Sequence, residues 1–191
     1  MMSTEKRTMV YADNAATTKL DIDAFEAMKP YLLDEYGNAS QSYSFARKPK
    51  QVLKEAREII AQCINAEPDE IYFTSGGTES DNWAIKGTLF ASQDKKTTIT
   101  TSFEHHAVLR TCVFMERMGY PVVYINPNNK GFIETKELES SITPDTLLVS
   151  IMMSNNEIGT IQPIKELVAI AHKNGSIFHT DAVQSVGHIP I

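Results

Sequence analysis

The sequence predicts an α/β protein with a mainly parallel sheet and helices on both faces. From Glu70 onward, short β-rich runs alternate with helical segments of about 10–15 residues, which is the pattern of βαβ units. The run from Leu147 to Met152 is apolar throughout, as expected of a strand covered on both faces. Ligands of such sheets bind beyond the carboxyl ends of the strands, so the residues after each strand are the first site candidates.

The first seventy residues read as helical. Asp21 is the expected N-cap of a helix, and Pro30 leaves the later part of that helix open. The apolar face of this helix comprises Phe25, Met28 and Leu32. A polar loop at Gly37–Tyr43 precedes a longer helix whose apolar residues recur at helical spacing: Val52, Ala56, Ile59, Ile60 and Cys63.

Five strands are predicted in the remainder, with helices between them. The strands are Ile71–Thr74, Thr97–Thr101, Val122–Ile125, Leu147–Met152 and Ile177–Asp181. The helices are one running through Trp83 to Leu89, His106–Met118 and Pro163–Lys173, and Asn129–Gly131 is a turn. We expect an N-terminal arm at residues 1–20 and part of a large cofactor-binding domain at residues 21–191.

The composition excludes several classes of protein. A formal net charge of −6 argues against nucleic acid or an anionic membrane as the main partner. No apolar run approaches the ~20 residues of a membrane span, and the polar start lacks a signal-peptide core, so a cytoplasmic location is expected. The two cysteines, Cys63 and Cys112, have no CxxC spacing, and the absence of an HExxH pattern leaves no metal site predicted.

The loop after the first predicted strand is a candidate anion-binding site. Ser75-Gly76-Gly77-Thr78 lets the backbone approach a ligand, and a helix that starts there points free N–H groups outward, as a phosphate requires. Neither GxxxxGK[ST] nor GxGxxG is present, which excludes the common nucleotide-binding loops. A simple strand-to-helix turn capped by Thr78 is the competing interpretation.

Three further loops carry polar side chains at strand ends. His105 can lie flat against an aromatic ligand, whereas a metal site with His106 is poorly supported by the spacing. The amide of Asn156 can contact a polar substituent, although Asn-Asn before Gly is also turn chemistry. Asp181, with Gln184 nearby, either caps the next helix or pairs with a protonated ring nitrogen. Taken together, these loops outline a site for pyridoxal phosphate, whose protonated pyridine ring is an electron sink.

The chain resembles the cysteine desulfurases, which belong to the class V group of aminotransferase-like enzymes of fold type I. The resemblance rests on five segments in order: Tyr11–Thr18 (YADNAATT), Phe73–Gly87 (FTSGGTESDNWAIKG), Glu104–Val108 (EHHAV), Val149–Gly159 (VSIMMSNNEIG) and Phe178–Gly187 (FHTDAVQSVG).

The resemblance implies a role for each candidate residue. Gly77 and Thr78 hold the cofactor phosphate. His105 stacks on the ring and moves protons as a catalytic residue. Two amides, those of Asn156 and Gln184, contact the phenolic oxygen, and Asp181 pairs with the pyridine nitrogen.

The resemblance also implies an activity and partners. The implied reaction converts L-cysteine, or a similar amino acid, to L-alanine. Its sulfur passes through an enzyme cysteine to an acceptor protein, for iron–sulfur cluster or tRNA thiolation chemistry. The implied enzyme is a homodimer. Selenocysteine lyase or an aminotransferase of the same group stays open, as does a non-catalytic binding or dimerisation role. An unrelated α/β protein whose loops are only turns also stays open.

Two departures from the family pattern qualify these expectations. The family loop GNPSS followed by histidine has Ala39 in place of proline and Tyr43 in place of histidine, which puts the substrate in doubt more than the cofactor. The Schiff-base lysine and the nucleophilic cysteine are expected beyond Ile191, in a missing C-terminal part or a second subunit, so we expect this chain alone to be inactive. Lys86 is expected to face solvent, and both cysteines of the chain are expected to be packing residues.

Overall fold

The computed structural model describes residues 9–190, which divide into two compact units, one ending at Phe73 and the other beginning at Thr74. The first unit contains α1 (Ile22–Leu33), α2 (Arg47–Cys63) and two short 3₁₀ turns. The predicted cap of α1 is confirmed, because the Asp21 carboxylate accepts hydrogen bonds from the N–H groups of Asp23 and Ala24. Pro30 lies inside α1, which continues to Leu33.

The prediction of a strand at Ile71–Thr74 is wrong. The backbone is extended at Ile71, but these residues pair with no other strand among the described residues. The carbonyl of Ile71 instead accepts a hydrogen bond from Arg57 Nε at 3.1 Å, and the Tyr72 side chain is 65% exposed. β-rich composition favours an extended backbone, whereas a strand also needs a neighbour to complete its hydrogen bonds.

The second unit is a four-stranded parallel sheet with helices. Its elements are α3 (Gly77–Ala91), β1 (Thr97–Thr101), α4 (His106–Arg117), β2 (Val122–Ile125), α5 (Thr135–Ser141), β3 (Thr146–Ser150), α6 (Ile164–Lys173) and β4 (Ile177–His179). The strand order is β2-β1-β3-β4, and every pair is parallel. The last two strands end two residues earlier than predicted. The short helix α5 was not predicted, because only Leu138 in it is buried and one residue gives no periodicity.

Both faces of the sheet are covered, which confirms the predicted architecture. Successive side chains of a strand point to opposite faces. Leu148 accordingly belongs to a buried cluster with side chains of α3 and α4: Ile85, Leu89, Val108, Cys112 and Met115. Its neighbour Val149 belongs to a second cluster, with Ile99 of β1, Leu138 of α5 and Leu167 of α6. Between residues 9 and 190 no helix is long and apolar enough to cross a membrane.

Truncating the centre of the first cluster should destabilise the second unit. Leu148 is 1% exposed, so Leu148→Ala is expected to lower the free energy of unfolding by about 2–5 kcal/mol through lost burial and an unfilled cavity. Denaturant unfolding followed by the fluorescence of Trp83, the single tryptophan, measures this loss. Val113→Ala removes a side chain that is 42% exposed and serves as the control, with an expected loss below 1 kcal/mol. Equal losses in the two variants would contradict the packing described.

Candidate functional site

The loops that follow β1, β3 and β4 are tied together by hydrogen bonds. The N–H of Met152, just beyond β3, donates to the Glu104 carboxylate, which follows β1, at 3.0 and 3.1 Å. The N–H of Met153 donates to the carbonyl of Asp181, beyond β4, at 2.9 Å. A side-chain bond adds to these, from Asn155 Nδ2 to the carbonyl of Phe103 at 2.9 Å. Three strand ends therefore meet at one rim of the sheet.

The start of α3 carries the predicted anion site. No side chain caps this helix. Its first backbone hydrogen bonds are donated by the N–H groups of Glu79 and Ser80, and the carbonyl of Gly76 accepts both. The N–H groups of Gly77 and Thr78 thus precede the hydrogen-bonded ladder, at the positive end of the helix dipole. Within residues 9–190 the Thr78 hydroxyl has no hydrogen-bond partner.

Gly77 also links this helix start to the loop beyond β4. A Cβ atom added at Gly77 would lie 2.8 Å from Cγ2 of Val183, two residues after Asp181. A larger residue at this position would push the helix start away from that loop. The predicted phosphate-binding segment and the predicted pyridinium partner are therefore on segments in close contact.

One acidic side chain lies close to the anion site. The N–H and the hydroxyl of Ser75 both donate to the Glu79 carboxylate, at 2.7 and 2.6 Å. These hydrogen bonds lower the pKa of Glu79, because they favour its ionised form. The negative charge of Glu79 therefore lies next to Ser75, which precedes the first residue of α3.

His105 lies at the start of α4 and shares a groove with Thr78. Its Nδ1 accepts a hydrogen bond from the Ala107 N–H at 3.2 Å, which leaves Nε2 as the nitrogen that carries the proton of the neutral ring. The groove has a volume of about 330 Å³ and is also lined by Lys86 and Arg110. Two cationic side chains that line the same groove as Thr78 give the groove a charge that suits an anionic ligand.

Lys86 differs from its predicted position. It is half-buried, and its ammonium group lies 4.6 Å from the ring centroid of Phe114 on α4. The helical pattern of α3 placed this residue on the solvent side. The aromatic ring on the neighbouring helix holds the ammonium over its face instead.

Asp181 is buried at the rim, with an exposed fraction of 8%. One carboxylate oxygen, Oδ1, accepts a hydrogen bond from the Val183 N–H at 2.9 Å, and among the described residues no hydrogen bond reaches Oδ2. The aspartate therefore closes a local turn and keeps a second oxygen for another donor, whereas the helix that the simpler interpretation expected it to cap does not form among the described residues.

The two predicted amides lie on neighbouring loops. Asn156 is half-buried, and its side chain makes no hydrogen bond within the part of the chain described. Gln184 is half-buried on the loop beyond β4. A hydrogen bond of 2.6 Å between the hydroxyls of Ser154 and Ser185 joins the two loops. No side-chain hydrogen bond links Asn156 to Thr78, His105 or Asp181 in the described residues.

A buried polar chain under this rim was not predicted. The Ser150 hydroxyl lies 2.9 Å from His179 Nδ1, and His179 Nε2 lies 3.5 Å from the Asp81 carboxylate. Asp81 is 4% exposed, and its Oδ2 has no partner among the described residues. Its sequence signal was available, because Asp81 falls on the same buried stripe of α3 as Ile85 and Leu89.

Glu104 is the second buried group that the sequence did not single out. It is 5% exposed, and its Oε1 accepts a hydrogen bond from the Thr101 hydroxyl at 2.6 Å. Burial raises the pKa of Glu104 to about 7, and the charges of Asp181 and Asp81 add to that rise, against the opposing effect of the bonds from Thr101 and Met152. Local sequence gives no signal for these long-range contacts.

The prediction that both cysteines are packing residues holds for Cys112 alone. Cys112 is buried in the α3–α4 cluster, and burial raises the pKa of its thiol to about 12. Cys63, at the end of α2, is exposed, so the apolar stripe that was expected to bury it does not do so.

The two thiols should differ sharply in reactivity. We expect a thiol reagent such as DTNB at pH 8 to label Cys63 quickly and Cys112 only after unfolding. The thiolate is the reactive form, and Cys112 is both buried and protonated. Cys63→Ser should remove the fast phase. Two fast phases in the folded protein, or a fast phase that survives Cys63→Ser, would contradict the placement of Cys112.

The sequence and the fold match a known family of enzymes. The chain belongs to the aminotransferase class-V family, whose model matches residues 10–191 and whose members in general depend on pyridoxal phosphate. Among curated relatives, cysteine desulfurase IscS of Methanosarcina thermophila is 52% identical over 191 residues, and that of Dictyoglomus turgidum is 51% identical over 183 residues. These alignments cover 100% and 95% of this chain but 47% and 46% of the relatives, so the chain spans about half the length of the curated relatives it matches.

Solved structures give the same relationship. A structure described as SspA in complex with cysteine has a TM-score of 0.89 and 43% identity, covering 92% of this chain and 51% of its own. A NifS-like protein has a TM-score of 0.93 and 38% identity, covering 96% of this chain and 51% of its own. The sequence-based resemblance to the cysteine desulfurases is thus confirmed, in the region corresponding to their N-terminal half.

Proposed function

We propose that this chain forms the cofactor-binding part of a pyridoxal-phosphate-dependent cysteine desulfurase. The observation that carries the proposal is the set of hydrogen bonds that draws the loops after β1, β3 and β4 to one rim. The rim lies at the carboxyl ends of parallel strands, where α/β proteins bind their ligands. The relatives, which are cysteine desulfurases, support the choice of reaction within the family.

The donor set at this rim suits pyridoxal phosphate. The N–H groups of Gly77 and Thr78 and the unpartnered Thr78 hydroxyl suit a phosphate, with the cations of Lys86 and Arg110 nearby. Bound there, the cofactor supplies an electron sink for cleavage of the substrate's carbon–sulfur bond.

The residues at the other loops complete the proposed arrangement. Asp181 Oδ2 would accept a charge-assisted hydrogen bond from the N–H of the pyridinium ring. The His105 ring covers the cofactor and holds a proton at Nε2 during turnover. The amides of Asn156 and Gln184 bind the phenolic oxygen.

The substrate and partners follow from the family. We propose that the complete enzyme takes sulfur from L-cysteine, releases L-alanine and passes the sulfur to an acceptor protein, acting as a homodimer in the cytoplasm. The raised pKa of Cys112 makes it a poor nucleophile, since the thiolate is the reactive form. On the family resemblance, we propose that the sulfur-accepting cysteine and the cofactor-binding lysine lie outside residues 1–191.

Removing the charge at Asp181 should weaken cofactor binding. A hydrogen bond to a charged group contributes ~1.5–3 kcal/mol, so Asp181→Asn is expected to raise the Kd for pyridoxal phosphate roughly tenfold to a hundredfold. Equilibrium dialysis with detection of the cofactor's absorbance measures this change. The matched control is Asp94→Asn, which should leave the Kd unchanged. Asp94 is exposed and precedes β1, so it lies at the end of the strands opposite to the rim. Equal affinity of the two variants would overturn the assignment of Asp181.

The proposed reaction is tested on the complete gene product loaded with pyridoxal phosphate. We expect it to form L-alanine from L-cysteine, and expect Asp181→Asn to slow that reaction roughly a hundredfold or more, because a preorganised charge is lost. Cys63→Ser should leave the rate unchanged. No alanine from the wild-type enzyme would refute the desulfurase, and loss of activity in Cys63→Ser would identify a nucleophile that we have not assigned.

A further inference from the structure

Glu104 lies between two of the loops that carry proposed cofactor ligands. Its carboxyl group accepts hydrogen bonds from Thr101 at the end of β1 and from the backbone of Met152 beyond β3. The next residue along the chain is His105, and Asn156 is four residues beyond Met152. One side chain therefore fixes the backbone that leads to both.

The surroundings of Glu104 disfavour its ionised form. Within residues 9–190 no lysine, arginine or histidine lies within 4 Å of its carboxyl group, and the side chain is 5% exposed. A buried carboxylate without a cation is costly, so such groups tend to keep their proton.

The other titratable groups around Glu104 come from three elements. Asp181 lies beyond β4, Asp81 on α3 and Cys112 on α4. His179 of β4 sits beside Asp81 and offers it partial compensation when protonated. None of these groups provides Glu104 with a direct positive partner.

We propose that Glu104 is a positioning residue that works in its protonated form, holding the loops of His105 and Asn156 while leaving Asp181 as the ionised carboxylate for the cofactor nitrogen. Of its two oxygens, Oε1 accepts the bonds from the Thr101 hydroxyl at 2.6 Å and the Met152 N–H at 3.0 Å, whereas Oε2 has only the 3.1 Å contact with the Met152 N–H, so Oε2 is the oxygen to which we assign the proton. The charges of Asp181 and Glu104 repel each other, so a neutral Glu104 removes that repulsion. This inference rests on the proposed function for its link to the cofactor, although its claim about charge does not.

The charge claim makes a prediction for the protein without cofactor. Because the folded state holds the Glu104 proton more tightly than the unfolded chain does, its stabilising effect is complete below about pH 4.5 and lost as the pH rises through about 7. Glu104→Gln is neutral at every pH and keeps one oxygen at the position of Oε1, which accepts the bonds from Thr101 and Met152 at 2.6 and 3.0 Å. Between pH 5 and 8 the Tm of wild type should therefore fall by roughly 5 °C or more relative to that of Glu104→Gln. Glu139→Gln, at a glutamate that is 57% exposed, is the matched control and should follow wild type.

The positioning claim is tested with the same variants and pyridoxal phosphate. Glu104→Gln should bind the cofactor within about threefold of wild type, whereas Glu104→Ala leaves the Met152 N–H without its acceptor and should bind roughly tenfold more weakly. A Tm profile of Glu104→Gln parallel to that of wild type, or wild-type affinity in Glu104→Ala, would overturn the proposal. If wild type itself fails to bind the cofactor, the proposed function fails, while the Tm profiles still decide whether Glu104 is neutral.

A measurement on the unaltered protein covers the case in which Glu104→Ala does not fold. With ¹³C-labelled glutamate, the Cδ resonance that is missing in Glu104→Gln reports the titration of Glu104 directly. We expect its midpoint near pH 7. A midpoint near the ordinary value of 4.5 would overturn the proposal.

Discussion

The site depends on lateral hydrogen bonding between parallel strands whose carboxyl ends stop at the same rim. β1, β3 and β4 pair side by side, so the loops after them leave the sheet next to one another. Parallel pairing alone would leave those loops free to diverge. The bonds from Met152 to Glu104 and from Met153 to Asp181 continue the connection beyond the last paired residues. The arrangement of polar side chains at the rim therefore depends on the sheet together with these hydrogen bonds beyond its last paired residues.

The electrostatic character of the rim changes with depth. At its surface, the N–H groups at the start of α3 and the nearby Lys86 and Arg110 favour an anion. Beneath it lie three buried or nearly buried carboxyl groups, those of Asp81, Glu104 and Asp181. Each has a different neighbour: His179 for Asp81, the Met152 backbone for Glu104 and the Val183 backbone for Asp181. A ligand with a phosphate at one end and a protonated ring nitrogen at the other matches this division of charge.

Sequence patterns predicted the elements whose signals are local. The apolar run around Val149 identified a buried strand, and Asp21 identified the start of α1. The strand expected at Ile71 failed because pairing depends on a partner that local composition does not specify. The helix α5 was missed because a seven-residue segment with one buried side chain has no period.

The same distinction applies to the site. Loops that follow strands could be identified from the alternation of elements, which is how His105 and Asp181 were selected, whereas Thr78 was selected after a predicted strand at Ile71–Thr74 that does not form. Glu104 could not, because its role depends on a backbone N–H that is 48 residues away in sequence. Cys63 was misplaced for a related reason, since helical spacing shows which side of a helix is apolar but not whether another element covers it.

The central claim is that segments far apart in sequence form one binding site at the rim. The most direct test is to follow amide chemical shifts during a titration with pyridoxal phosphate. In a ¹H–¹⁵N spectrum we expect the amides of Thr78, His105, Asn156 and Asp181 to shift together with a single binding constant. Gly175, which precedes β4 at the opposite end of the strands, should stay in place. Shifts confined to one of these segments, or centred near Gly175, would contradict the account.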